Sequence, residues 1–158
     1  MSFRNYNLIT LFIYFALLFV PNTVFADSNL ENCLQFKDEI ESILISENVS
    51  TDYFYLAVCE SGCRIKESHK GARGFFQIMP RTFAIYKDKN CTDIDDIRCN
   101  TIAAAHYIKH LQERFKDLPT TIKAYNRGGT NLIRKGSTSE ANNLSRCVTK
   151  YIRNQNNG

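Results

Sequence analysis

The distribution of cysteine is the feature that most constrains how this chain can fold. The 158-residue chain has six cysteines, and all of them follow residue 32: Cys33, Cys59, Cys63, Cys91, Cys99 and Cys147. An even number of cysteines in an exported domain indicates a framework of disulfide bonds. Their spacing leaves the connectivity open, because six cysteines can pair in many ways.

The same cysteines do not favour a metal site. Cys59 and Cys63 have a finger-like gap, but no second close pair of cysteine or histidine completes a zinc site. His106 and His110 lack the Glu that a metalloprotease helix carries directly after its first histidine. We therefore expect no metal and no other cofactor.

The N-terminal segment has the three-part layout of a secretory signal peptide. Arg4 precedes an almost wholly apolar run, Leu8 to Val20, and Val24-Phe25-Ala26 supplies small residues for cleavage. An uncleaved N-terminal anchor is the alternative, although the run is short for a membrane span. We expect residues 1–26 to be a signal peptide and residues 27–158 to be one exported domain, periplasmic or extracellular. No second apolar span follows, so no membrane span is expected after cleavage.

The charge of the chain is mildly positive, with a formal net charge of +4. Such an excess suits an anionic polymer such as a cell wall. Basic and aromatic residues do not combine into a groove-like stripe, so we do not expect nucleic-acid binding.

Hydrophobic periodicity predicts a mainly α-helical domain. Apolar residues recur at helical spacing after Ser28, which we expect to be the N-cap of the first helix, with Glu31 reaching back. No run alternates as a strand would. The other expected elements are a buried helix from Ser50 or Thr51 to Glu60, a loop over 64–74, a short helix over 75–86, a helix over 101–115, a helix from Pro119 ended by Gly128, a turn over 136–143 and a last helix over 144–153.

Glu60 is the candidate catalytic residue. It ends the apolar run that begins at Tyr53, and burial of a carboxyl group raises its pKa toward the range of a general acid. A surface Glu at a helix end is the alternative. Other chemistries fit less well, because the chain has no Gly-x-Ser-x-Gly elbow and no phosphate loop, and a reduced Cys nucleophile conflicts with export.

Glycoside cleavage usually needs two carboxylates, and a partner for Glu60 is not evident. Glu67 is possible, but its neighbours Lys66 and Lys70 favour a solvated surface role. A single acid suffices if a hydroxyl of the bound sugar is the nucleophile. Candidates to orient the sugar are Gln77, Tyr125 and Asn126; core packing of Tyr125 and helix capping by Asn126 are the alternatives.

Three segments, in order, resemble motifs of the soluble lytic transglycosylases. They are Cys59-Glu60-Ser61-Gly62, the segment from Gly71-Ala72-Arg73-Gly74-Phe75-Phe76-Gln77 to Thr82, and Ala124-Tyr125-Asn126-Arg127-Gly128. Asn100 and Tyr107 are similar to the intervening helix of the family. The resemblance implies a lysozyme-like fold and cleavage of peptidoglycan glycan strands between N-acetylmuramic acid (MurNAc) and N-acetylglucosamine (GlcNAc), with a 1,6-anhydro product.

The resemblance also implies roles for individual residues. It implies that Glu60 is the acid/base and that Ser68, Gln77, Tyr125 and Asn126 contact the sugar. The spacing from Glu60 to Gly71 is one residue shorter than is usual in the family. The usual Glu-Thr before the C-terminal tyrosine is absent, and Tyr151 is the candidate for that tyrosine.

Two cysteines resemble a pair in the small transglycosylases of secretion and conjugation systems. Cys33 opens the domain and Cys99 precedes Asn100. This resemblance implies a Cys33–Cys99 disulfide and an envelope-spanning secretion or conjugation complex as a partner.

Three other functions fit the sequence. A hydrolytic lysozyme would use Glu67 or an aspartate to position water. A wall-binding assembly factor would keep the groove without catalysis. A small subunit of an export system would use its helices only to pack against partners.

Overall fold

The computed structural model describes residues 27–157, which form eight α-helices and one turn of 3-10 helix at Thr51–Tyr53. The α-helices are α1 Ser28–Leu34, α2 Lys37–Ser46, α3 Phe54–Glu60, α4 Pro80–Tyr86, α5 Ile97–Phe115, α6 Leu118–Arg127, α7 Gly129–Lys135 and α8 Ser139–Asn156. In this part of the chain, β-structure is limited to isolated bridges of Arg73 with Glu67 and with Ile78. The mainly α prediction is confirmed. The predicted signal peptide lies outside the described residues.

Helix α3, which carries Glu60, packs against α8, α1 and α2. The long helix α5 packs against α2, α4 and α6, and α8 packs against both α6 and α3. Residues 54–58 of α3 are all buried, which confirms the prediction of a helix covered on most sides. The C-terminal end of α3 therefore opens from the core into the space between α6, α8 and the loop that follows α3.

The N-cap of α1 is Asp27, not Ser28 as the sequence predicted. The Asp27 carboxylate accepts hydrogen bonds from the backbone N–H groups of Asn29 (3.0 Å) and Leu30 (3.4 Å). Ser28 is the first residue of the helix. Because Asp caps a helix as well as Ser does, the pattern placed the start one residue too late.

Several other helix boundaries differ from the prediction, and the starts of α4 and α8 differ most. Helix α4 begins at Pro80, five residues after the predicted start, because Phe75 and Phe76 are buried in a turn and proline suits the first helical position. Helix α8 begins at Ser139, within the stretch predicted as a turn. The Thr138 hydroxyl accepts from the Ala141 N–H at 3.2 Å, and Ala141 is buried. A side-chain cap and a buried residue in the first turn thus extend this helix toward its N-terminus.

The predicted Cys33–Cys99 disulfide is wrong. The pairs are Cys33–Cys63, Cys59–Cys147 and Cys91–Cys99. Cys33 meets Cys63 because α1 docks on the turn after α3, where Asn32 Nδ2 donates to the Gly62 carbonyl. Cys99 instead closes the short loop before α5 with Cys91, only eight residues away.

Candidate active site

Glu60 is the last residue of α3 and lines a cleft of about 280 Å³. Its side chain is only partly buried, because the helix ends there and the chain turns away at Ser61 and Gly62. Five apolar residues before it lie in the core. The core thus fixes the backbone of Glu60 and leaves its carboxyl group at the cleft wall.

Burial raises the pKa of Glu60 from 4.5 to about 7. Burial is the largest cause, the carboxylate of Glu140 adds to it, and the ammonium of Lys66 acts in the opposite direction. Near neutral pH the acid and base forms of Glu60 are therefore both populated. A carboxyl group in this state can donate a proton and later take one back.

Three side chains hold the turn that faces Glu60, residues 74–77. The Ser61 hydroxyl donates to the Phe75 carbonyl at 2.7 Å. The fully buried Asn100 accepts from the Phe76 N–H at 2.9 Å. The Tyr125 hydroxyl donates to the Phe76 carbonyl at 2.8 Å. Residues from α5, from α6 and from the end of α3 thus fix one turn.

Gly74 is required by this close packing. Its φ angle is +75°, and a Cβ built there would lie 2.3 Å from the Nδ2 of Asn100. Asn100 Nδ2 also donates to the carbonyls of Ile94 (2.8 Å) and Arg73 (3.2 Å), so it cannot easily move. A side chain at position 74 would therefore displace the turn.

Gln77 has its amide oriented by the backbone. Its Nε2 donates to the carbonyls of Gly74 (2.9 Å) and Lys66 (3.0 Å), which uses both amide hydrogens. Its φ angle of +48° is unusual for a residue with a side chain and is enforced by the turn. Since Gln77 lines the cleft, its Oε1 is the group left to accept a hydrogen bond from a ligand.

The cleft also brings together three other residues predicted as sugar contacts. Ser68 lines it, and its Oγ accepts from the Ala72 N–H at 3.0 Å, which leaves the hydroxyl proton for a ligand. Tyr125 and Asn126 line it from the last turn of α6. Burial raises the pKa of Tyr125 well above its usual value, and the Glu60 charge raises it further. Tyr125 thus stays protonated and positions the turn.

Tyr151 lies elsewhere. Its ring stacks on Tyr55 with centroids 5.3 Å apart, and its hydroxyl donates to the Asp27 carboxylate. It is not among the residues that line the cleft. The structure therefore does not bring Tyr151 together with Glu60.

The sequence reasoning missed three charged residues of the cleft: Lys70, Arg127 and Glu140. The Lys70 ammonium and the Glu140 carboxylate form an ion pair at 2.7 Å between the loop after α3 and the start of α8. Hydrogen bonds from Lys70 and then from Asn126 lower the pKa of Glu140. No local pattern signals this convergence, because Glu140 is 80 residues from Glu60 in sequence.

A second hollow of about 480 Å³ adjoins the first. Glu60, Asn126 and Glu140 border both hollows, and the Cys59–Cys147 disulfide lines the second. Glu60 therefore borders two adjoining hollows.

Among the residues that the structure describes, neither a candidate metal-binding cluster nor a membrane-spanning helix is present. Over residues 27–157, no group of three or more His, Cys, Asp or Glu side chains could hold a metal ion. Within the same range, no helix combines the length and the apolar character needed to cross a bilayer.

A comparison with protein families identifies a match. Residues 45–146 match the family model described as the transglycosylase SLT domain. This range contains Glu60, the turn that faces it and the end of α6, that is, the whole cleft described above. No curated protein sequence matches the chain.

Proposed function

The chain belongs to the transglycosylase SLT family, which is lysozyme-like and acts on peptidoglycan, and we propose that it is a lytic transglycosylase with Glu60 as its sole acid/base. One observation carries the proposal: the Glu60 carboxyl group lines the cleft with a pKa of about 7. The cleaved bond is the β-1,4 bond between MurNAc and GlcNAc.

The mechanism uses one carboxyl group twice. The acid form of Glu60 donates its proton to the glycosidic oxygen, and the bond from that oxygen to the anomeric carbon of MurNAc breaks. The ionised Glu60 then takes the proton from the C6 hydroxyl of the same MurNAc, and the C6 oxygen bonds to the anomeric carbon. The product is 1,6-anhydro-MurNAc, no water is consumed, and Glu60 is protonated again.

The remaining contacts orient the sugar. The Oε1 of Gln77 and the hydroxyl of Ser68 are an acceptor and a donor at the cleft wall. Asn126 offers its amide beside Glu140. Tyr125 acts through the turn, because its hydroxyl proton is already donated to Phe76.

The test is digestion of purified peptidoglycan followed by mass spectrometry of the soluble muropeptides. We expect products with 1,6-anhydro ends and no new reducing ends. Glu60→Gln should reduce the rate by several orders of magnitude, since both proton transfers fail. Glu67→Gln is the matched control, because Glu67 is exposed and does not line the cleft. Full activity of Glu60→Gln would refute the role of Glu60.

Hydrolysis is the second candidate function, and Glu140 is the observation that favours it. An ionised second carboxylate borders the same cleft, as hydrolytic glycosidases require. The ion pair with Lys70 lowers the pKa of Glu140, which makes it a weak base and a weak nucleophile. Reducing-end products that disappear in Glu140→Gln would establish hydrolysis; anhydro products from that variant would exclude it.

Export of residues 27–158 after cleavage of residues 1–26 is also part of the proposal. Three disulfides support it, since such bonds persist in oxidising compartments. N-terminal sequencing of the protein from the periplasm or medium tests it, and Asp27 is the expected first residue. An envelope-spanning complex as partner stays a prediction, and co-purification from cross-linked envelopes is its test.

A further inference from the structure

Arg127 is a cation of the cleft that the proposed mechanism does not use. It is the last residue of α6, directly after Tyr125 and Asn126, and its side chain lines the same cleft as Glu60. Within residues 27–157 its guanidinium has no ion pair, and its Nε is buried without a hydrogen-bond partner. A buried donor without a partner is unfavourable and calls for an explanation.

The other charges of the cleft do not neutralise Arg127. Lys70 is the second basic residue of the lining, and its charge is already paired with Glu140 at 2.7 Å. Glu60 is protonated in a large fraction of molecules near neutral pH. Among the described residues, Arg127 is therefore the cleft cation without a counter-ion.

The position of Arg127 at a helix end does not account for its buried Nε without a hydrogen-bond partner. A basic residue at a helix C-terminus interacts favourably with the helix dipole. The end of α6 is, however, already capped by the Gly128 N–H, which donates to the Ala124 carbonyl at 2.8 Å. The Arg127 carbonyl accepts from Asn131 Nδ2 at 3.3 Å. The guanidinium donates to none of these groups.

We propose that Arg127 binds a carboxylate of the substrate and thereby selects glycan strands that contain muramic acid. This inference rests on the proposed function and names the substrate chemistry of the same cleft. GlcNAc carries no carboxylate, whereas muramic acid carries a lactyl group on O3. The lactyl carboxylate is free in a peptide-free strand; in other strands it is amide-linked to a stem peptide with carboxylates of its own. The planar guanidinium suits a carboxylate in either setting.

The experiment measures binding to the Glu60→Gln protein, which should not turn the ligand over. The probes are a peptide-free MurNAc-GlcNAc tetrasaccharide, the same tetrasaccharide with stem peptides, and the uncharged GlcNAc tetrasaccharide. We expect at least one carboxylate-bearing probe to bind about tenfold more tightly than the uncharged one, as a charge-assisted hydrogen bond allows. A preference for the peptide-free probe identifies the lactyl carboxylate as the group that binds Arg127. A preference only for the peptide-bearing probe identifies a carboxylate of the stem peptide.

A second substitution isolates Arg127. Arg127→Gln in the same background should abolish the preference while binding of the uncharged probe stays within about twofold. Arg127→Lys should keep part of the preference, because lysine keeps the positive charge but lacks the planar group that can donate two hydrogen bonds to one carboxylate. Arg134→Gln is the matched control, since Arg134 is exposed on α7 and does not line the cleft. Thermal unfolding of each variant verifies the fold.

The outcomes separate this inference from the proposed function. Wild-type protein that releases no anhydro product refutes the proposed function, whatever the binding data show. Equal binding of all three probes, including binding of none, overturns the role of Arg127. A preference that survives in folded Arg127→Gln also overturns it.

Discussion

Glu60→Gln should stabilise the fold at neutral and alkaline pH while it removes activity. In the folded protein, ionised Glu60 lies at the end of a buried helix, and burial raises its pKa to about 7. Glutamine has nearly the same size and carries no charge. The substitution therefore removes the cost of a poorly solvated carboxylate and leaves the surrounding packing unchanged.

The magnitude follows from the two pKa values. Because the pKa of Glu60 is 4.5 in the unfolded chain and about 7 in the folded protein, the folded state binds the proton more tightly. The wild-type protein should thus lose stability as pH rises from about 4.5 to about 7, by roughly 3 kcal/mol in total. Below this range the carboxyl group is neutral in both states, and above it the loss is complete. The advantage of Glu60→Gln should grow over the same interval.

The assay is urea unfolding at intervals from about pH 4 to about pH 8.5, with the disulfides intact. The difference in free energy of unfolding between Glu60→Gln and wild type should be near zero at the acid end and roughly 3 kcal/mol at the alkaline end. Glu113→Gln, an exposed position on α5, is the matched control and should not give this rise. A difference that does not change with pH would refute the burial argument.

Three other predictions follow from the contacts of the site. Glu140→Gln should move the alkaline limb of the pH–activity profile to lower pH. The reason is that the negative charge of Glu140 helps to raise the pKa of Glu60. Initial rates measured as a function of pH test this prediction. Asn100→Leu should lower the free energy of unfolding by about 2 kcal/mol or more and reduce activity, because it leaves the Phe76 N–H and the Ile94 carbonyl without partners. Urea unfolding measures the first effect. Replacing Cys59 and Cys147 by Ala should lower the free energy of unfolding by about 4 kcal/mol. The reason is that the disulfide closes a loop with a sequence separation of 88 and joins α3 to α8. Urea unfolding also measures this effect.

Each of these predictions has a matched control. Glu39→Gln removes an exposed carboxylate outside the cleft, and an equal movement of the pH profile would contradict the role of Glu140. Asn90 is exposed, so Asn90→Leu should change stability by less than about 0.5 kcal/mol. Loss of the Cys91–Cys99 disulfide, whose cysteines are eight residues apart, should lower the free energy of unfolding less than loss of the Cys59–Cys147 disulfide. A larger cost for the shorter loop would contradict the entropic argument.

Local patterns were sufficient for the helical class and for most of the cleft. The apolar run before Glu60 predicted a buried helix with a carboxyl group at its end, and α3 has that form. The three motifs contributed Gln77, Tyr125 and Asn126, which line one cleft with Glu60. The helix could be predicted because helical spacing acts between residues close together in the chain. The roles of Gln77, Tyr125 and Asn126 beside Glu60 were implied by the family resemblance, because these residues are far from Glu60 in sequence.

Long-range partners could not be predicted in the same way. Cys33 pairs with Cys63 because α1 docks on the turn after α3, and no spacing rule specifies that docking. Tyr151 matched the expected residue type, but it stacks on Tyr55 and does not line the cleft. A side chain on an eighteen-residue helix can face any direction until the packing of that helix is known.

The sequence by itself determined the chemistry available, namely a helix-terminal carboxyl group, a glycine turn and six cysteines for disulfide bonds. Only the tertiary structure decided the pKa of the carboxyl group and which charged residues lie around it. Packing of α8 brings Glu140 beside Lys70 and close enough to raise the pKa of Glu60, and the end of α6 leaves Arg127 in the cleft without a counter-ion. The physical reason is that burial and Coulomb interactions depend on distance in space, which residues far apart in sequence acquire only when the helices pack.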